Sequence, residues 1–248
     1  MTVLTHLNST VAQLTARSLL GRRRALLLTG LPGILLLLAA LSRGLAGEKE
    51  GITVGVLGGF ALATLVPLLG LIAGTGAIGP EIDDGSIVYL LSKPVSRFSI
   101  ATTKVLVAVC VVAVFAALPT LLAGLILSGT SDRLAVAYAL GALVAGTAYC
   151  ALFVLLAVLT RHAVVVGLLY ALIWESLVGN LIPGAQTLSI QQWALAITER
   201  VVGGPAEGLK VSSAVGLGAA VPLLVGVFVG STWYAGRRLR SLRLTSDD

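Results

Sequence analysis

Long stretches without a charged side chain dominate this sequence and restrict it to a membrane-spanning fold. A helix that crosses about 30 Å of hydrocarbon needs roughly 20 mostly apolar residues. One such stretch, Ala163–Asn180, is interrupted by a single charge at Glu175. The stretches without any charge are Ala25–Ser42, Gly51–Pro80, Val105–Ser131, Leu134–Thr160 and Val211–Gly236. Because barrel strands alternate over about ten residues and these stretches are continuous, we predict an all-α integral membrane protein with six transmembrane helices.

The composition leaves little room for a soluble domain. Charged residues make up 11% of the 248 residues, whereas a soluble domain carries about 25%. We therefore predict a single membrane domain over residues 1–248, with a cytoplasmic amphipathic helix in residues 1–24, a six-helix membrane domain in residues 25–236 and a cytoplasmic basic tail in residues 237–248.

The distribution of Lys and Arg predicts the orientation. If the N-terminus is cytoplasmic, five of the 17 basic residues lie outside and the others lie inside. Those outside are Arg43, Lys49, Arg133, Arg200 and Lys210. This bias predicts that both termini are cytoplasmic, and it explains the net charge of +6 without a nucleic-acid partner. The four arginines of Arg237–Arg243 are expected to anchor this topology and to touch membrane lipid.

The N-terminal residues have the spacing of an amphipathic helix. Val3, Leu7, Val11 and Leu14 recur at helical intervals, with polar residues between them. We predict a helix that lies on the cytoplasmic face before the first span. A plain cytoplasmic tail is the alternative.

Motifs for catalysis, metal binding and nucleotide binding are missing from the sequence. No GxxxxGK[ST], GxSxG, HExxH or CxxC pattern occurs, and Cys110 and Cys150 both lie in apolar runs. Gly74–Gly79 spells GxGxxG, but it ends a membrane span, where small residues serve helix packing instead. We predict no catalytic residue, no metal site and no cofactor in this chain.

The link between the second and third spans has the pattern of a docking surface. Pro80 is placed to begin a short helix, and Glu81 and the two aspartates after it suit the positive end of that helix. Leu90 and Leu91 then offer an apolar face before Pro94 ends it. An ordinary solvated loop is the alternative.

Glu175 is a charge near the middle of the fifth predicted span. A charge at that depth costs roughly 2.5–3.5 kcal/mol on insertion scales, so Glu175 should face the bundle interior, a subunit contact or a water-filled cavity. With its neighbour Trp174 it is a candidate for the transport pathway or its gate, and a satisfied structural carboxyl is the alternative. The outer loop Leu181–Lys210 carries an apolar stretch with Trp193, which fits a helix over a pathway or an interfacial anchor.

Residues 81–104 resemble the permeases of the type-2 ABC exporters. The residues that carry the likeness are Glu81, Gly85-Ser86, Leu90-Leu91-Ser92-Lys93-Pro94-Val95-Ser96-Arg97 and Thr103-Lys104, with Ser86 and Thr103 at positions where the family more often has Thr and Gly. The resemblance implies a homodimer or a heterodimer of permeases with two cytoplasmic ATPase subunits, which carry the ATP and Mg²⁺. It also implies an N-terminal connecting helix and a bacterial inner-membrane location.

The same resemblance implies which residues couple this chain to the ATPase. They are Glu81, Gly85, Leu90, Leu91, Pro94 and Arg97. The expected function is that of a permease subunit, not an enzyme, in an exporter whose cargo the sequence does not identify. The alternatives are a carrier driven by an ion gradient, which usually needs several intramembrane ionisable groups, and a membrane enzyme or scaffold.

Overall fold

The computed structural model describes residues 9–47, 49–85, 96–129, 132–178, 184–203 and 213–241. Helices make up the regular secondary structure of these residues, and no strand occurs among them. They are α1 (Ser9–Leu19), α2 (Arg22–Ala46), α3 (Glu50–Val54), α4 (Val66–Asp83), α5 (Arg97–Val112), α6 (Leu118–Ser128), α7 (Asp132–Leu159), α8 (Ala163–Leu169), α9 (Ile190–Val202) and α10 (Leu217–Ser241). The all-α fold class is confirmed.

Wider π-helical turns join several of these helices into longer rods. Gly55–Leu65 connects α3 to α4, Ala113–Ala117 connects α5 to α6, and Tyr170–Val178 extends α8. Pro67 and Pro119 follow the first two of these stretches, each within the first turn of the next α-helix. Proline has no N–H to donate there, so the change of helix type occurs where a regular α-helical bond is missing anyway.

Five of the rods are long and apolar enough to cross a membrane. They are Arg24–Leu45, Glu50–Ile82, Arg97–Ser128, Arg133–Leu159 and Leu217–Leu239. A shorter apolar helix, Ala163–Glu175, corresponds to the predicted span that contains Glu175. We number these six helices spans one to six in chain order, so that Ala163–Glu175 is span five.

Polar contacts identify one end of the bundle. Arg24, Pro80 and Arg161 border the same cavity, and Arg97 contacts Leu239 at the end of span six. We call this the inner end, because the count of basic residues predicts that it is cytoplasmic.

The helix α1 packs along the inner end through one face. Val11, Thr15 and Leu19 are buried at four-residue intervals, whereas Leu14 is about half exposed. The face contacts spans two and three, which are represented here by α4 and α5. The amphipathic helix predicted for the N-terminal residues is therefore present from Ser9, and its first residues lie outside the described part of the chain.

Span four lies at the centre of the bundle. Its Tyr149 and Phe153 are fully buried and stack with ring centroids 6.0 Å apart. Gly70 and Gly74 of span two face these two side chains one turn apart. The absence of a Cβ at both glycines lets the two helices approach closely, as small residues do in membrane bundles.

The link after span two differs from the sequence expectation. Instead of beginning at Pro80, a helix runs through Pro80 to Asp83, so Glu81 lies in the last turn of α4. Pro80 has no N–H to donate to the carbonyl of Gly76. The Arg24 guanidinium donates to it instead, with Nη1 3.2 Å from the Gly76 oxygen. The prediction of a helix that starts at Pro80 was wrong, and Glu81 lies at the negative end of its helix.

The glycine contact between spans two and four gives a testable prediction. A Cβ at Gly74 would lie 2.7 Å from the Phe153 Cβ and 3.0 Å from the Cys150 carbonyl oxygen. We expect Gly74→Ala to lower the free energy of unfolding by about 1–3 kcal/mol, the usual cost of overpacking. Gly59→Ala in the same span is the control, because nothing lies within 4 Å of its Cβ position. Equal thermal unfolding of both variants in detergent would contradict the close contact.

Candidate functional site

An ion pair joins the inner ends of spans two and three. The Lys104 Nζ lies 2.7 Å from Glu81 Oε1. The Lys104 side chain is fully buried, and the Glu81 side chain is 25% exposed. Glu81 is a residue that the sequence analysis assigned to ATPase coupling, so the structure places a coupling candidate directly on a buried ammonium.

The same ammonium makes two further contacts. Its Nζ lies 2.6 Å from the Ala77 carbonyl oxygen in α4 and 3.4 Å from Thr15 Oγ1 in α1. An ammonium has three N–H donors, and these three acceptors match that number. We call Lys104, Glu81, Ala77 and Thr15 the lysine node. It ties three helices together: α1, α4 and α5.

Because the ammonium is buried, it needs these contacts to replace its hydration. An ammonium removed from water is strongly unfavourable unless charged and polar groups replace its hydration. The second carboxylate oxygen of Glu81 is also buried, and it has no hydrogen-bond partner in the described part of the chain. The two charges therefore depend on each other, and separating α4 from α5 would leave the buried Lys104 ammonium without its counter-charge.

Gly85 ends the helix that carries Glu81. The N–H of Asp84 donates to the Pro80 carbonyl and the N–H of Gly85 to the Ile82 carbonyl, which closes the helix end. Gly85 has φ +69°, a left-handed conformation that residues with a Cβ rarely adopt. The coupling candidates Leu90, Leu91 and Pro94 lie outside the described residues, so their predicted role stays a prediction.

Arg97 anchors the far side of the link to span six. Ser96 caps α5 by accepting the Ser99 N–H, and Arg97 Nη1 lies 2.8 Å from the Leu239 carbonyl oxygen. A cation beside carbonyls at a helix carboxyl end is favourable because that end carries partial negative charge. The two ends of the link are thus held by different spans: Glu81 by Lys104 of span three, and Arg97 by the end of span six.

Glu175 binds the amino end of α9. Its carboxylate accepts hydrogen bonds from the Ser189 hydroxyl, from the Ile190 N–H at 3.0 Å and from the Gln191 N–H at 3.4 Å. The Tyr170 hydroxyl donates to Oε1 at 3.1 Å. Unpaired N–H groups at a helix start form a natural binding site for an anion. The carboxylate is fully buried and joins span five to α9.

These hydrogen bonds bear on both interpretations of Glu175, the structural carboxyl and the gate. The hydrogen bonds satisfy the carboxylate, as a structural role requires, and a gate could use the same contact if α9 moved. Trp174 beside it is partly exposed. Trp193 is buried on α9, and its Nε1 lies 2.8 Å from the Thr187 carbonyl oxygen, so its ring packs inside the protein. The pathway role of Glu175 and Trp174 stays a prediction.

Sequence reasoning missed Lys104 as a site residue. The signal was nevertheless present, because Glu81 follows the charge-free stretch of span two and Lys104 precedes that of span three. Consecutive spans run in opposite directions, so these two charges meet at the same end of the bundle. Among the described residues, no group of three His, Cys, Asp or Glu side chains could hold a metal ion.

The lysine node predicts a coupling energy between two side chains. Lys104→Met should lower the free energy of unfolding by about 1–3 kcal/mol, because it leaves the Glu81 carboxylate without its partner. Adding Glu81→Gln should recover part of that loss, because the unpaired charge is then gone. Lys49→Met is the matched control, since Lys49 is exposed at the opposite end. If the effects of Lys104→Met and Glu81→Gln simply add in thermal unfolding, the pair is not coupled.

The contact between Glu175 and α9 gives a second prediction. Glu175→Ala leaves the amino end of α9 without its acceptor, so we expect the free energy of unfolding to fall by about 1–3 kcal/mol. Glu50→Ala, at an exposed position in the first turn of α3, should change little. Thermal unfolding in detergent measures both, and unaltered stability of Glu175→Ala would show that α9 does not depend on this carboxylate.

Comparison with known protein families agrees with this architecture. A family model described as "ABC-2 family transporter protein" matches residues 4–200. The match covers most of the chain and includes α1, the lysine node and Glu175, whereas span six lies beyond it. A comparison with curated proteins found no match. The resemblance noted in the sequence is confirmed: the chain belongs to the ABC-2 transporter family and is a membrane permease component of an ABC transporter.

Proposed function

We propose that this chain is the permease subunit of an ABC exporter, that it works as a dimer with a second permease copy, and that separate cytoplasmic ATPase subunits drive it. Family membership supports the partnership with an ATPase. The export direction and the bacterial inner membrane follow from the resemblance of residues 81–104. ATP and Mg²⁺ bind the partner in this proposal, and this chain carries no catalytic group.

The observation that carries the proposal is the lysine node. The link of residues 81–97 begins at Glu81, which is held by Lys104, and ends at Arg97, which is held by the end of span six. A partner that shifts this link therefore moves spans two, three and six and, through Thr15, the helix α1. This is the mechanical connection that coupling to an external ATPase requires.

The membrane surface of the chain is apolar enough to contact a second copy. Spans one and six carry large apolar side chains that are more than half exposed, among them Leu26, Leu37 and Val229. In a bilayer such side chains face lipid or another subunit. We place the transport pathway between two copies, with Glu175 and Trp174 at its outer gate, because Glu175 connects span five to the loop helix α9.

Two substitutions separate docking from coupling. Leu91→Asp puts a charge on the proposed docking surface, so a gentle detergent pull-down should lose the ATPase subunit while the spans remain inserted. Lys104→Met leaves that surface unchanged, so the ATPase subunit should stay bound, but the transport that accompanies ATP hydrolysis should fall. Lys49→Met should behave as wild type in both assays. An unchanged pull-down with Leu91→Asp would show that the ATPase subunit docks at another surface. Wild-type transport by Lys104→Met would show that the lysine node takes no part in coupling.

A further inference from the structure

A cavity of about 210 Å³ lies at the inner end, and its lining includes neither Glu175 nor a residue of the lysine node. It is bordered by the start of span one, the end of span two and the turn between spans four and five. Arg24, Gly79 and Arg161 represent these three regions in its wall. The cavity is therefore formed by parts of the chain that are far apart in sequence.

The wall of this cavity is basic. Arg24, Arg161 and His162 line it, and none of the lining residues that the structure describes is acidic. Arg161 and His162 are exposed, and neither forms an ion pair within the described ranges of the chain. Two guanidinium groups without a carboxylate beside them create a positive potential that favours an anion.

Arg24 is held in place for such a role. One of its N–H groups donates to the Gly76 carbonyl, at 3.2 Å, where Pro80 has removed the helical donor. A guanidinium has five N–H donors in a rigid fork, so the others remain for a ligand in the cavity. Arginine forks match phosphate oxygens in geometry as well as charge.

The mouth of the cavity is apolar on one side. Val164 and Val165 line it at the start of span five, and each is 58% exposed. Exposed valines on a membrane span are covered by acyl chains or by protein. A ligand that fits both sides of this mouth needs an anionic group for the arginines and a hydrocarbon chain for the valines, which a soluble phosphate does not have.

We propose that this cavity binds the phosphate headgroup of an anionic phospholipid from the inner leaflet. The guanidinium groups of Arg24 and Arg161 donate to the phosphate oxygens, and His162 lies at the polar rim. The acyl chains run along Val164 and Val165. Basic pockets between spans on the cytoplasmic side are a recognised way to hold such headgroups. The bound lipid connects span one to the turn between spans four and five, and its binding requires neither ATP nor the ATPase partner.

Native mass spectrometry of the purified full chain tests the site. The protein is titrated with phosphatidylglycerol and, separately, with phosphatidylcholine of the same acyl chains. Wild type should retain phosphatidylglycerol preferentially. Arg161→Ala should weaken that binding about fivefold, the effect of one cation near an anionic lipid, and Arg24→Gln, which removes the other guanidinium charge, should weaken it by a similar factor. Arg133→Ala removes an exposed arginine at the other end and should change nothing.

Each other outcome overturns the proposal. Equal retention of phosphatidylcholine, which has the same phosphate diester but also a choline cation, would show that the net negative charge of the lipid does not decide binding. Displacement of phosphatidylglycerol by millimolar inorganic phosphate would assign the cavity to a soluble anion. If Arg24→Gln fails to fold, Arg161→Ala decides alone, because Arg161 is exposed and its loss leaves the packing intact. Wild-type binding of phosphatidylglycerol by Arg161→Ala would show that the lipid does not bind at this cavity.

Discussion

The inner end of the bundle depends on the contacts that the buried Lys104 ammonium makes. Its three acceptors come from α1, from the carbonyl of Ala77 and from the carboxylate of Glu81. If Glu81 moved away, the buried Lys104 charge would lose its counter-charge, and if Ala77 or Thr15 moved away, an N–H of the ammonium would lose its acceptor; both changes are unfavourable at a buried site. The N-terminal helix and the inner ends of spans two and three are therefore expected to move as one body. In the proposed coupling to an ATPase subunit, this gives the link after Glu81 a firm attachment to the membrane domain.

The same requirement explains the other long-range polar contacts. Hydrocarbon offers no hydrogen bonds, so helix ends and prolines that free a carbonyl need a donor from the protein. Arg24 donates to Gly76 beside Pro80, Arg43 donates to Leu127 at the end of span three, and Arg97 donates to Leu239 at the end of span six. Glu175, in contrast, accepts hydrogen bonds from N–H groups at the start of α9. Each contact joins two separate elements, so satisfying the backbone also fixes how the helices are arranged.

The sequence predicted the spans well because the exclusion of charge from hydrocarbon acts on each residue separately. Glu175 was identified for the same reason, as a charge within an apolar stretch, whereas Glu81 was identified as a coupling candidate from the family resemblance. Pairings were harder to predict. That Lys104 faces Glu81, and that Glu175 binds the start of α9, follows from how the helices pack, which a single sequence does not reveal. The helix start predicted at Pro80 was wrong: proline often begins a helix, whereas here the helix continues through Pro80 and Arg24 donates to the carbonyl that Pro80 leaves free. The apolar residues Leu90 and Leu91 lie outside the described part of the chain, so their role rests on the resemblance.

The distance between two spin labels tests whether the lysine node moves as one body. Cysteines at the exposed positions Gln13 on α1 and Asp84 at the end of α4, with Cys110 and Cys150 replaced, would carry the labels in the complex with the ATPase subunits. Pulsed electron resonance would compare the nucleotide-free complex with the complex trapped during ATP hydrolysis. We expect the same narrow distance in both states, and a broadened distance once Lys104→Met is added. A change of distance between the two states while Lys104 is intact would contradict it.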